Sequence, residues 1–376
     1  MNRRVYFDYS STTNVHPDVL NTYIELLKTT YVNSESLYDE GTNVSRNLEK
    51  ARSAIASLLN VHYDEIIFTS GASEANSEAI KSVSFAMPKK KHIITSQIEH
   101  SSILNACKQM EDTFGYRVTY LPVNERGVVS VQDLKEALDE DTSVVSIMLV
   151  NNETGMMNPI DEIKEIVKKE SSAYMHVDLT QAIGKVPVSL DYIDLASMSA
   201  HKIEGLKGSG VLVRKKHVPF VPLINGGEQE GGLRGGTSNA CTNMVFAKTL
   251  RIALENQTKY HDYIQDLHDY LISELKQIDG IELNHPEDNL CCIVNFSYEK
   301  IPSEVMQNAL NRMGFMISAR STCESKSNNP SYVLKAMGFS DSRASSCIRV
   351  SLSYHNTKED VQDFIKALKE IISHYG

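Results

Sequence analysis

Lys202, in the stretch SMSAHKIEGLKGSG, follows a short apolar run (195–198) and enters a turn carrying Gly205, Gly208 and Gly210. A lysine at a strand exit can be partly desolvated, which lowers its pKa, and its amine can then form a Schiff base with an aldehyde. Other reactive groups also stand behind apolar runs. In IIFTSGASEANSEAI the run 66–69 ends at Ser70-Gly71-Ala72-Ser73 before a helical pattern. Free N–H groups at that helix start, with the Ser73 hydroxyl, could hold a phosphate; the plainer reading of Ser73 is a helix N-cap. His100, in ITSQIEHSS, can stack on an aromatic ring or move protons near neutrality. Asn152, in VNNETG, can hydrogen-bond a ligand oxygen, although the stretch is equally good turn chemistry. Asp178, in HVDLTQAIGK, ends an apolar run where an unpaired carboxylate is costly. It suits either a protonated ring nitrogen or a helix N-cap, and Gln181 could donate to a neighbouring phenolate oxygen.

These groups need a scaffold that brings strand ends together. Apolar runs at 66–69, 92–95, 118–121, 144–150, 174–177, 195–198 and 211–213 read as strands. Amphipathic helices at 131–138 and 161–169 fall between some of them, and helices are also expected at 17–28 and 44–60. Residues 33–42 read as irregular. The run VVSIMLV has almost no polar alternation, as expected for a strand covered on both faces. The alternation predicts an α/β fold, a mainly parallel seven-stranded sheet between helices with ligands beyond its carboxyl ends.

After about residue 256 a long helix leads to strands at 281–283, 292–296 and 348–352, and Thr357 caps a final amphipathic helix. This is read as a smaller unit of residues 1–14 and 256–376, beside a large unit of 15–255. The 376 residues are 41% hydrophobic and 23% charged, with a net charge of -10, which argues against a nucleic-acid binder. No apolar stretch approaches membrane-span length, and MNRRVYFDYSSTT lacks the apolar core of an export signal. The six cysteines form no zinc-type pairs and suit a reducing, cytoplasmic setting; no metal site is expected.

A lysine, a carboxylate, a phosphate cradle and a stacking histidine at successive ends of one sheet match the needs of pyridoxal 5′-phosphate. The stretches YFDYSSTT, FTSGASEAN, EHSS, NNETG, HVDLTQAIGK, SAHKIEGLKGSG, GGEQEGGLRGGT, PSYVLKAMG and IRVSLS, with the segment around Cys323, resemble the cysteine desulfurases. These are pyridoxal-phosphate enzymes of the class V aminotransferase group with the aspartate-aminotransferase fold. The likeness runs nearly end to end.

The resemblance implies that Lys202 holds the cofactor, His100 stacks on its ring, Asp178 pairs with the ring nitrogen and Gln181 contacts the ring oxygen. Ala72 and Asn152 would contact the cofactor, and Ser73, Ser199 and His201 would hold its phosphate, joined by Thr237 from a partner subunit, which makes a homodimer. Asn152 and Arg349 would grip the carboxylate of L-cysteine, an arrangement suited to a guanidinium fork. Cys323, on a loop of about 318–331, would take the sulfur as a persulfide, with Arg320 and Lys326 favouring the thiolate. The sulfur would pass to an acceptor protein: an iron–sulfur scaffold, a tRNA-thiolating enzyme or a sulfur carrier. Alternatives are an aminotransferase or selenocysteine lyase with an incidental Cys323, or a silent scaffold of a sulfur pathway.

The chain departs from the family pattern at several points. Ser318-Ala319-Arg320-Ser321-Thr322 replaces the usual Ser-Ser-Gly-Ser-Ala, and Glu324 replaces a threonine. Ser353-Tyr354 stands for Gly-Arg, Gly231 for an arginine, and Asn33-Ser34-Glu35-Ser36 for Asn-Pro-Ser-Ser. These bear on loop motion and partner choice more than on cofactor binding.

Overall fold

The computed structural model describes residues 3–319 and 329–375. Cys323, with Arg320, Glu324 and Lys326, lies outside the described residues. The chain opens with β1 (Val5–Tyr6), α1 (Pro17–Thr29) and α2 (Asp39–Leu59). Then follow β2 (Ile66–Thr69), α3 (Ala72–Ala86), β3 (His92–Ser96), α4 (Ser101–Phe114) and β4 (Arg117–Leu121). Next are α5 (Val131–Ala137), β5 (Thr142–Ser146), α6 (Ile160–Glu170), β6 (Tyr174–Asp178), β7 (Leu195–Ser199) and β8 (Gly210–Arg214). The long α7 (Ala240–Leu275) leads to β9 (Glu282–Leu283), β10 (Ile293–Ser297), α8 (Ser303–Arg312) and β11 (Phe315–Met316). The chain closes with α9 (Tyr332–Ala336), α10 (Asp341–Ser345), β12 (Cys347–Ser351) and α11 (Lys358–Tyr375).

Seven strands form the central sheet in the order β2-β8-β7-β6-β5-β3-β4, and only β8 runs antiparallel to its neighbours. Its inner strands are buried on both faces, which is why they read as unbroken apolar runs. One face packs on residues such as Leu48, Ile55, Leu134, Ile163 and Phe246 of α2, α5, α6 and α7. The other face packs on Ala75, Ile80, Ile103 and Met110 of α3 and α4. A further core joins Phe7, Leu271, Phe296, Ile348 and Phe364 around the three-stranded sheet β12-β10-β9. The N-terminal strand joins this part, pairing β1 with β11.

Three expectations shift. The strand expected at 144–150 stops at Ser146: the Met148 N–H is shared between the two carboxyl oxygens of buried Glu99 at 3.0 Å, and the apolar run continues as a buried turn. Helix α2 starts at Asp39, inside the stretch read as irregular. Helix α7 begins at Ala240 rather than near 256 and serves both large cores, through Phe246 and Leu250 and then Leu271 and Leu275. Thr357 does cap α11: its Oγ1 accepts from Asp360 N at 3.2 Å, and Asp360 Oδ2 accepts from Thr357 N at 2.8 Å. Among the described residues no helix is long and apolar enough to cross a membrane.

Candidate active site

The carboxyl ends of the sheet open into a cleft of about 420 Å³. Its lining includes Ala72, Ser73, His100, Asn152, Asp178, Gln181, Ser199, His201, Lys202 and Arg349. These are the residues singled out in the sequence, apart from Thr237, which is exposed and does not line this chain's cleft, and Cys323. Ser10, Asn76, Thr180 and Lys207 also line it and escaped sequence reading.

At one end lies the start of α3. Its N-cap is Gly71, not Ser73, so the Ser73 hydroxyl is left free of capping. A Cβ on Gly210 would stand 2.6 Å from the Gly71 Cα, so two glycines let this turn lie against the β7–β8 connection. That contact brings the free N–H groups of α3 beside Ser199 and His201. Glu74, also at this end, is paired with Arg234 (Nε to Oε1, 2.9 Å). His201 meets Thr12 Oγ1 at 3.1 Å, and burial, with the neighbouring Lys202, lowers its pKa to about 4.

Lys202 closes a single turn of 3-10 helix (Ala200–Lys202) directly after β7. Its Nζ donates to the carbonyls of Ser10 at 2.5 Å and Ser11 at 2.7 Å. The N-terminal segment thus holds the lysine against the floor of the cleft. Asp178, 5% exposed, takes up the capping role that its sequence allowed and lines the cleft. Its Oδ1 caps the following turn, accepting from Thr180 N at 2.8 Å, and its Oδ2 accepts from Asn76 Nδ2 at 2.8 Å beside the cleft. Behind it on β6, His176 lies between Ser146 and Ser197, and burial lowers its pKa to about 4, so it is neutral at pH 7.

His100 is the N-cap of α4, its Nδ1 accepting the Ser102 N–H at 3.2 Å. That bond leaves the ring proton of the neutral form on Nε2. Arg349, 1% exposed, donates from Nη1 to Asn152 O and from Nη2 to Asp8 Oδ1, both at 2.9 Å. Asp8 was not foreseen: it lies at the other end of the chain and meets Arg349 only after β1 and β12 are assembled. Tyr354, one of the family departures, donates to Glu204 Oε2 at 2.5 Å and stacks on Tyr260.

Buried polar atoms test whether these residues suit pyridoxal phosphate. Asn152 Oδ1, Thr180 Oγ1 and Arg349 Nε line the cleft and have no protein partner. Such atoms are costly unless a ligand or water meets them. An anion cradle, an enclosed carboxylate and an amine lie around one cleft, so the donor set fits the phosphate, the ring nitrogen and the aldehyde.

Fold and site together define a pyridoxal-phosphate enzyme built at the strand ends of a mainly parallel sheet. Residues 5–364 match the Aminotransferase class-V family, and the chain belongs to that family. It is 40% identical to a cysteine desulfurase of Dictyoglomus turgidum over 99% of this chain and 95% of the relative. A solved NifS-like protein superposes with a TM-score of 0.93 at 38% identity, covering 99% of this chain and 100% of the other. A structure of SspA in complex with cysteine superposes with a TM-score of 0.82 at 31% identity, covering 94% and 99%. Pyridoxal 5′-phosphate is the cofactor of this family and of this chain.

Proposed function

We propose that this chain is a cysteine desulfurase that takes sulfur from L-cysteine, leaves L-alanine, and holds the sulfur as a persulfide on Cys323 for an acceptor protein. The observation that carries the reading is the convergence of Lys202, Asp178, His100, Asn152 and Arg349 on one cleft in a chain that matches desulfurases over nearly its full length.

Pyridoxal phosphate supplies an aldehyde that captures amines and a ring that accepts electrons from the carbon beside the captured nitrogen. Asp178 holds negative charge where the ring nitrogen would sit, and Asn76 and Thr180 keep that carboxylate aimed. Ser73, Ser199, His201 and the α3 N-terminus would hold the phosphate, with Thr237 of a second copy completing the cradle and making the enzyme a homodimer. Arg349, steered by Asp8 and the Asn152 carbonyl, offers its remaining N–H groups to the substrate carboxylate. The Lys202 amine takes the α-proton of cysteine and returns it, and His100 moves protons through Nε2. The Cys323 thiolate attacks the substrate sulfur. A sulfur–sulfur bond forms as the carbon–sulfur bond breaks, and the electron pair left on carbon takes a proton to become the alanine methyl.

The ends of the segment holding Cys323 support that role. Ser318 pairs through its backbone with Arg349, and Ser331 Oγ donates to Glu153 Oε2 at 2.6 Å. Tyr332 donates to the carbonyl of Glu99, the residue before His100, at 2.6 Å. Both ends are therefore tied to residues in or beside the cleft. We read 15–255 as the large cofactor-binding unit and 1–14 with 256–376 as the smaller one, a division supported by their separate apolar cores and crossed by α7. The sulfur acceptor is read as a protein, with iron–sulfur scaffolds, tRNA-thiolating enzymes and sulfur carriers as candidates.

Incubation of the cofactor-loaded protein with L-cysteine under reducing conditions tests the reading. Alanine and sulfide should accumulate in equal amounts. Turnover of selenocysteine but not cysteine, or keto-acid formation without sulfide, would reject it.

A further inference from the structure

Lys185 belongs to no step of the reaction described above, yet its partly buried side chain lies at a cavity that shares Ser10 and Lys202 with the cleft. It follows Gly184, whose φ is +71° and whose added Cβ would stand 2.8 Å from Ala253 Cβ on α7. Lys185 lines a small, mostly apolar cavity together with Lys202, Cys291 and Cys292. Burial lowers the pKa of its amine. Its Nζ donates to Gln181 Oε1 at 2.7 Å. Gln181 Nε2 in turn donates to the Ser10 carbonyl at 2.9 Å, the same carbonyl that accepts from Lys202 Nζ.

The Ser10 carbonyl fixes the Gln181 amide with its NH2 toward it, and Lys185, as an ammonium, reinforces that orientation. An ammonium can only donate and a backbone carbonyl can only accept. A flipped amide would set NH2 against the ammonium and oxygen against the Ser10 carbonyl, replacing two attractive contacts by two repulsive ones.

We propose that Lys185 is a positioning residue that locks the Gln181 amide with its NH2 group toward the cleft. Gln181 then meets the cofactor only as a donor, as a negatively charged ring oxygen requires. Without Lys185 one of the two contacts that fix the amide is lost, and only the Ser10 carbonyl opposes a turn that would set the amide oxygen toward that ring oxygen. The inference rests on the proposed contact between Gln181 and the cofactor.

A double-mutant cycle on cofactor affinity tests it, using the full-length protein stripped of pyridoxal phosphate and retitrated by absorbance. Lys185→Met keeps the length of the side chain and removes the donor. It should weaken pyridoxal phosphate binding about tenfold, the worth of one charge-assisted hydrogen bond. The melting temperature of the cofactor-free protein should stay close to that of wild type, since relief of the amine's burial offsets the donor that Gln181 Oε1 loses. In a Gln181→Leu background the Lys185→Met change should add nothing. Equal losses in both backgrounds, or no loss in wild type, would overturn the role of Lys185. A Gln181→Leu variant that binds the cofactor as wild type does would instead overturn the Gln181 contact on which the inference rests. Should Lys185→Met melt well below wild type, Lys185→Arg, which keeps a donor, should retain affinity within about threefold; a tenfold loss there contradicts the proposal.

Discussion

Asn76 Nδ2 donates to Asp178 Oδ2 over 2.8 Å and to Ser102 Oγ over 2.9 Å. Ser102 Oγ lies 2.8 Å from His100 Nδ1, so one buried amide joins the carboxylate proposed for the ring nitrogen to the histidine proposed to stack on the ring. The two are fixed relative to each other by helices α3 and α4, and neither is aimed independently.

Replacing Asn76 by Leu should therefore reach both residues. The Asp178 carboxylate loses a donor in a buried site, a cost of about 1–3 kcal/mol. Cofactor affinity should fall by tenfold or more in an absorbance titration, and an unchanged affinity would show that Asp178 is held without Asn76.

Arg349 and Asp8 form a pair that spans the chain, and Arg349 is almost wholly enclosed. Asp8→Ala leaves a buried guanidinium with one partner fewer. Denaturant unfolding should show a loss of about 3 kcal/mol, the usual cost of orphaning a buried charge. The KM for cysteine should rise as the guanidinium loses its orientation, and a variant with wild-type stability and KM would argue against this function for Asp8.

The pH dependence of stability separates two sets of buried groups. Burial raises Glu78 and Glu99 from 4.5 to about 8, and both oxygens of Glu78 lack a partner. The folded state keeps these protons where the unfolded chain has released them. Their contribution is complete below pH 4.5 and is lost as pH rises through 8. Burial moves His176, His201 and His285 the other way, from 6.5 to about 4, so their contribution is present above pH 6.5 and lost as pH falls through 4. Between 6.5 and 8 the carboxyls act without opposition from the histidines. Cofactor-free Glu78→Gln should lose less melting temperature over that interval than wild type; parallel curves would contradict the assignment.

Lys202→Ala should lower turnover by about 10³-fold or more, since it removes the amine proposed as the base and as the attachment point of the cofactor. Gel-filtered protein should also lose its cofactor absorbance, and retention of that absorbance would place the attachment elsewhere.

The residues at strand ends were legible because each follows an apolar run, where a polar group is conspicuous. Lys202, Asp178 and His100 stood out for that reason, and the cleft gathers them. Their supports were not legible. Asn76, Asp8 and Lys185 are ordinary polar residues until folding sets them against Asp178, Arg349 and Gln181. Helix α7 was read sixteen residues short because its middle, around Arg251, Glu255, Asn256 and Lys259, is polar where the helix passes between its two cores. The run 144–150 was read as all strand because a buried turn needs apolar residues as much as a strand does. Of Cys323 the sequence gives the type and the flanks, and the fold gives the anchors at Ser318, Ser331 and Tyr332.

The most direct test of the desulfurase reading follows sulfur on Cys323. Cofactor-loaded protein is mixed with L-cysteine without reductant, and alanine is measured together with the mass of the peptide that carries Cys323. Alanine should form in step with the gain of one sulfur atom on that peptide, and Cys323→Ser should form neither. Alanine released at the wild-type rate by Cys323→Ser, or with the added sulfur on another cysteine, would contradict the account.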